Sequence, residues 1–354
     1  MSCRRCNKPT SLTCGQCYAC SYCSADCQRK DWRFHKEECR KGPQDHPRRS
    51  PAALFAVLLS YLNRDVISIV FQYDAPSFGV KPLFSFGGIG ESDGQFGKQP
   101  RDLCLSHDNE EVVVVAANDI NVFSVQDGRF LRSATVRVNQ FDAMFETNLA
   151  SIVSTAPDEI GVLMFPSALR FFSLHDLKHK ELIHLSSANL FCNTIRKTPD
   201  GRLVLVSKSS GDLIFVDRNT KARKGRHAFQ KMLPGEFEVT DDGRVLMPSL
   251  GLLEVVDLRA PPGSRSEHTT INNDFISYEV GMTSCFSTVF LTSHKRGGCL
   301  LTFDVDAPET TMLRTESLAL KKAIKKKLHS LCFDKQRGQL YICNFETRII
   351  SVFQ

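Results

Sequence analysis

The chain has 354 residues, of which 42% are hydrophobic and 24% charged, enough apolar mass to bury a sizeable core and, by length, to form two domains. Its net charge of +6 sits entirely in the first 50 residues, which hold 11 Lys and Arg against five Asp and Glu, so the rest of the chain is neutral. Eight of its 14 cysteines fall in the same stretch, between Cys3 and Cys39.

The start Met-Ser-Cys-Arg-Arg-Cys has no apolar signal core, and the longest apolar run, near 52–59, is under half of the ~20 residues a bilayer span needs. A cytoplasmic or nuclear protein without membrane contact is therefore expected. In a reducing compartment, clustered cysteines are metal ligands rather than disulfides. A neutral body also argues against a broad nucleic-acid surface.

The head reads C-x2-C-x7-C-x2-C-x5-C-x3-C-x7-H-x3-C. It supplies eight ligands: Cys3, Cys6, Cys14, Cys17, Cys23, Cys27, His35 and Cys39. Eight is the number for two tetrahedral zinc ions, one held by four cysteines and one by three cysteines and a histidine. All positions would be filled by protein, which makes the zinc structural. The two-residue gaps suit tight turns. Cys23/Cys27 and His35/Cys39 have the i, i+4 spacing of one helix face, so the second half of the head is expected to be helical. So short a segment folds only with metal, each structural zinc contributing about 10–16 kcal/mol.

Tyr22-Cys23-Ser24, Cys27-Gln28, Trp32, His35-Lys36 and Cys39 together resemble a MYND-type zinc finger over residues 3–39. The resemblance implies interleaved pairing, with Cys3, Cys6, Cys23 and Cys27 on one zinc and Cys14, Cys17, His35 and Cys39 on the other. Cys20 departs from the pattern, forming C-x2-C pairs with both Cys17 and Cys23; the match at Tyr22-Cys23-Ser24 leaves it a spectator. Trp32, the single tryptophan, lies four residues after Gln28. An aromatic plate beside an amide is a surface on which extended, proline-rich peptides dock. The resemblance likewise implies a peptide groove lined by Gln28 and Trp32. The same tryptophan could also pack a miniature core. Ring-type ligase fingers order their ligands differently, so recruitment of a ubiquitin-conjugating enzyme by the head is not expected.

Residues 40–52 are Pro- and Arg-rich without apolar periodicity, which marks a linker. Residues 53–75 carry helical spacing. Within them Leu58-Leu59, Leu62, Asp65-Val66 and Ile69 resemble half of an F-box, which would imply a ubiquitin-ligase substrate receptor; a plain helical connector is the competing reading.

From residue 78 to 354 short apolar strands alternate with turn residues. A strand with a central aromatic or valine recurs at Phe123, Phe172, Phe215, Val255, Phe303 and Phe353, at intervals of 40 to 50 residues. That interval fits one four-stranded propeller blade. Turns are expected at Asp200-Gly201, Asp242-Gly243 and Arg337-Gly338, because glycine accepts the positive φ of a hairpin. The last repeat stops one strand short, and 81–86 reads as an orphan strand that would complete it and close the ring. The expected fold is thus mainly β: a six-bladed β-propeller preceded by a small two-zinc finger and a helical connector. Gly87-Gly88, Asp93-Gly94-Gln95-Phe96 and Pro100 resemble an NHL repeat, closely in the first blade and weakly beyond it.

The body's histidines (His107, His175, His179, His184, His227, His268, His294 and His329) are expected mostly in turns, without equivalent positions between blades. No nucleophile elbow or phosphate-binding glycine loop emerges, so no enzyme is expected. Two basic runs, Lys221 to Lys231 and Lys321 to Lys327, read as solvated loop charge. RNA binding by the propeller is the competing reading. The chain is therefore expected to be an adaptor, with a finger for proline-containing peptides and a propeller as second platform.

Overall fold

The six apolar landmarks become the third strands of six four-stranded antiparallel sheets. The computed structural model describes residues 3, 6, 12–13, 21–32, 81–136, 149–164, 168–185, 192–207, 211–218, 223–227, 236–249, 251–260, 268–272, 281–285, 288–293, 299–305, 314–316 and 328–354. Two units divide the chain, Met1–Leu58 and Leu59–Gln354. The expected linker and helical connector, with the F-box-like residues, lie outside the described residues.

Blade 1 consists of Pro100–Leu105, Glu111–Ala116, Asp119–Ser124 and Phe130–Thr135. Blade 2 consists of Leu149–Ala156, Glu159–Met164, Ala168–Ser173 and His179–His184. Blade 3 follows with Ile195–Lys197, Leu203–Val206, Asp212–Val216 and Arg223–His227. Blade 4 has Glu238–Val239, Arg244–Ser249, Leu252–Asp257 and His268–Asn272. Blade 5 has Met282–Cys285, Thr288–Ser293, Cys299–Asp304 and Arg314–Glu316. Blade 6 has only three strands from the C-terminal part, Leu328–Asp334, Gln339–Asn344 and Ile349–Phe353. Its fourth strand is Phe84–Gly87, from the beginning of the unit.

That closure pairs Phe86 with Ile350 and Phe84 with Val352. The strand begins at Phe84 rather than at 81, because Lys81 and Pro82 are exposed and proline has no N–H to give to a ladder. The first strand of each blade touches the first strand of the next all the way round, including blade 6 against blade 1. Six sheets therefore form a closed propeller. Each is covered on both faces by its neighbours, which explains runs such as Val112–Ala116 and Leu203–Val206, in which every residue is buried. The core lies between the blades. Val113, Ile120, Ile152 and Phe172 pack blade 1 on blade 2, and Leu103, Val114, Tyr341 and Ile350 pack blade 6 on blade 1.

The expected turns form, with Gly201, Gly243 and Gly338 all at positive φ (85°, 84° and 64°). Histidine placement differs from expectation. His107 and His175 do lie in turns, but His179, His184, His227, His268 and His329 lie in strands, four of them in fourth strands. A fourth strand has one unpaired edge, so it accommodates polar residues that the inner strands exclude. Arg223, Lys224 and Arg226 likewise sit on the fourth strand of blade 3 rather than in a loop. Lys221, Lys231, His294 and the 321–327 run lie outside the described residues. Among the described residues no helix is long and apolar enough to cross a membrane.

Candidate metal centre

Ser24 starts the single described helix of the head, which covers residues 25–32. Its carbonyl accepts the Gln28 N–H at 3.2 Å and its hydroxyl accepts the Cys27 N–H at 3.3 Å, the two bonds of an N-cap. Cys23 therefore lies before the helix and Cys27 in its first turn. The expectation that both sit on one helix face is corrected: serine caps the helix between them, and the turn into the cap brings the two thiols together.

A two-stranded ribbon, Leu12–Thr13 with Ser21–Tyr22, leads into this turn. Tyr22 is fully buried, and its hydroxyl donates to Asp31 Oδ2 at 2.9 Å. This bond fastens the far end of the helix to the ribbon while Cys27 fastens the near end.

Cys3, Cys6, Cys23 and Cys27 converge, with all four sulfurs within 4.8 Å of one another. Sγ–Sγ separations are 3.4 Å for Cys6–Cys23, 3.5 Å for Cys23–Cys27 and 3.8 Å for Cys27–Cys6. None of the four forms a disulfide. A tetrahedron of thiolates about 2.3 Å from zinc has edges of about 3.8 Å, so the set fits one zinc ion. Cys6 and Cys27, with a smaller contribution from desolvation, push the Cys23 thiol up to about 12. Ionising four adjacent thiols requires a compensating cation, which a divalent metal supplies. Cys14, Cys17, Cys20, His35 and Cys39 lie outside the described residues.

Gln28 and Trp32 both fall on the helix, one turn apart, and Trp32 is 40% exposed. Asp31, its neighbour, faces inward. The tryptophan therefore leaves much of its ring at the surface.

A second polar constellation, which the sequence did not reveal, lines the inner ring of the propeller. Asp102 on the first strand of blade 1 is buried. Its Oδ1 accepts from Leu103 N at 2.9 Å and Ser330 Oγ at 2.6 Å. Its Oδ2 accepts from Ile152 N and Arg196 Nη1, both at 3.1 Å, and from the Ser151 hydroxyl. Arg196 Nε in turn donates to Glu238 Oε2 at 3.1 Å. One side chain from each of blades 1, 2, 3, 4 and 6 (Asp102, Ser151, Arg196, Glu238 and Ser330) thus joins a single hydrogen-bonded network.

Burial opposes the Arg196 charge, but Asp102, Glu238 and Glu236 more than offset it and hold the guanidinium above the usual arginine range. Burial raises Glu238 despite Arg196. Burial, then Asp102, raises Glu236 well above the ordinary glutamate range, against the opposing pull of Arg196. Glu236 Oε2 is sealed from water and has no hydrogen-bond partner among the described residues. No spacing rule connects these positions, because each blade contributes one residue from a different local sequence.

The described chain thus combines a thiol-rich finger with a six-bladed propeller. Residues 3–39 match the MYND finger family. Over 42 residues the chain is 45% identical to Deformed epidermal autoregulatory factor 1 of Drosophila melanogaster, covering 12% of this chain and 7% of that protein. Over 170 residues it is 29% identical to the Histone-lysine N-methyltransferase SMYD3 of Homo sapiens, covering 47% of this chain and 36% of that protein. The chain thus spans well under two thirds of either relative. Among solved structures, the Cps50 (Swd1) β-propeller domain of Myceliophteria thermophila superposes with a TM-score of 0.52 at 13% identity, over 75% of this chain and 84% of that one. The likeness is one of fold, and it supports a propeller without assigning NHL repeats.

Proposed function

We propose that the chain is a zinc-dependent adaptor whose finger reads proline-containing peptide segments through Gln28 and Trp32, while the propeller offers a second binding platform. In this reading Cys3, Cys6, Cys23 and Cys27 hold one structural zinc, and Cys14, Cys17, His35 and Cys39 hold another. Residues 40–52 and 53–75 connect finger to propeller. Fusing two binding modules raises the effective concentration of one partner around the other.

The observation that carries this reading is Trp32, 40% exposed one helical turn from Gln28, on a helix already anchored by Cys27 and by the Asp31–Tyr22 bond. The exposed part of the ring can be reached by a ligand, and extended proline segments dock on such rings at low entropic cost.

Trp32→Ala is expected to abolish capture of proline-rich peptides by the full chain while metal analysis still returns two zincs per chain. Peptide capture unchanged in that variant overturns the assignment of Trp32. A parent chain with one zinc, or zinc loss in Cys20→Ser, overturns the ligand set.

A further inference from the structure

A cleft of about 200 Å³ opens on the propeller where blade 1 meets blade 6, lined by Lys98, Gln99, Arg101, Ala117 and Arg348. We propose that it is a receptor for a phosphoryl-class oxyanion. Three of its five lining residues are cations and none is acidic. Among the described residues none of the three cations forms an ion pair, although the propeller elsewhere pairs its arginines closely, as with Arg132–Glu111 at 2.5 Å, Arg337–Glu110 at 2.8 Å and Arg259–Asp257 at 2.6 Å.

The backbone is specialised at the same place. Arg101 is the extra residue of a β-bulge: Pro100 pairs with Ala116 and Asp102 with Val115, leaving Arg101 without a partner. A bulge re-aims a side chain, and here Arg101 is exposed while Asp102 is buried in the channel network. Ala117 has φ 51° at the first position of the two-residue turn between Ala116 and Asp119, where glycine is the comfortable choice. Arg348 has φ 55° and is held by Nη1 bonds to Phe96 O at 2.8 Å and Gly97 O at 2.6 Å. Only four non-glycine residues among those described adopt positive φ, and two of them line this one cleft. Left-handed non-glycine residues concentrate at ligand clamps, and three cations held on such a frame suit a dianion with several oxygens better than a single carboxylate.

A phosphorylated protein segment and free inorganic phosphate share this chemistry. RNA is disfavoured, because a neutral body lacks the extended basic surface that a polyanion needs. The cleft is independent of the finger, so its test does not depend on Trp32.

The test is phosphorus-31 line broadening of inorganic phosphate and of O-phosphoserine by the zinc-loaded full chain, at constant ionic strength in chloride. Saturable broadening is expected, weakened roughly tenfold or more in Arg101→Gln and in Lys98→Gln. Both side chains are exposed, so the variants should keep the parent's thermal midpoint; Arg348 is left intact because it fastens the 96–97 backbone. Tighter binding of a phosphoserine peptide than of phosphate assigns the group to a protein partner, and equal binding assigns it to the free anion. Broadening that does not saturate, or that neither substitution weakens, overturns the proposal. So does tighter binding of a single-stranded RNA with the same sensitivity to both substitutions.

Discussion

Asp102 is buried and accepts from five hydrogen-bond donors, and its partners belong to four blades counting its own. Removing the carboxylate takes away the largest of the acidic influences that offset the burial of Arg196 and leaves the Ser151 and Ser330 hydroxyls without their acceptor. Asp102→Ala is therefore expected to lower stability by about 3–5 kcal/mol, read as a shift of the urea midpoint. Glu236 acts in the opposite sense. Its folded value lies above its ordinary value of about 4.5, so the folded chain retains a proton that the unfolded chain has released. Stability is then fully present below the ordinary value and falls as pH rises toward the folded one. Glu236→Gln should match the parent at about pH 4 and exceed it at about pH 8, measured by urea unfolding at both. Equal pH slopes in parent and variant would show that the carboxyl titrates normally.

At the scale of strands, the closing element tolerates little added bulk at Gly87. A Cβ on Gly87 would meet the Phe96 ring at 2.5 Å and the Arg348 carbonyl at 2.8 Å, from a backbone at φ 87°. Gly88 has φ 108° but open space around it. Gly87→Ala is expected to cost more than about 1 kcal/mol, and more than Gly88→Ala, because only the former adds a collision to the unfavourable φ. Comparing the two unfolding midpoints isolates the collision. The blades were legible from their third strands because each holds large apolar residues at its centre, and Phe123, Phe172 and Phe353 are buried accordingly. The turns were legible because Asp-Gly encodes its own φ. The network around Asp102 was not: Asp102, Ser151, Arg196, Glu238 and Ser330 meet only after closure, and nothing local distinguishes any of them. The Cys23–Cys27 pair shows a subtler limit, since i, i+4 spacing fits a helix face and equally a capped helix start.

The molecule as a whole divides its stabilisation between two kinds of chemistry. In the head, the described burial amounts to Cys3, Tyr22 and their immediate contacts, a core too small to hold without metal. The propeller has its own cores between blades and contains no part of the thiol cluster. A strong zinc chelator is expected to abolish amide protection of the 25–32 helix while leaving protection of the blade strands unchanged, as read by hydrogen exchange across the full chain. Loss of protection in the blades on chelation would show that the propeller depends on the finger. The spacing of the cysteines revealed the first kind of chemistry and the spacing of apolar strands the second. The cationic cleft belonged to neither pattern, because Arg348 joins Lys98 and Arg101 only in the finished ring.

Closure also sets a clock. Ser85 Oγ lies 3.2 Å from Ser351 Oγ although 266 residues separate them. Hairpins within each blade can zip as soon as their own residues emerge, but Phe84–Gly87 has no partner until Ile349–Phe353 is made. At roughly 5–20 residues per second, that wait is on the order of 10–50 s on the ribosome. Throughout it the newborn chain carries an unpaired strand with two aromatic side chains, the kind of edge that chaperones shield and that misassembly exploits.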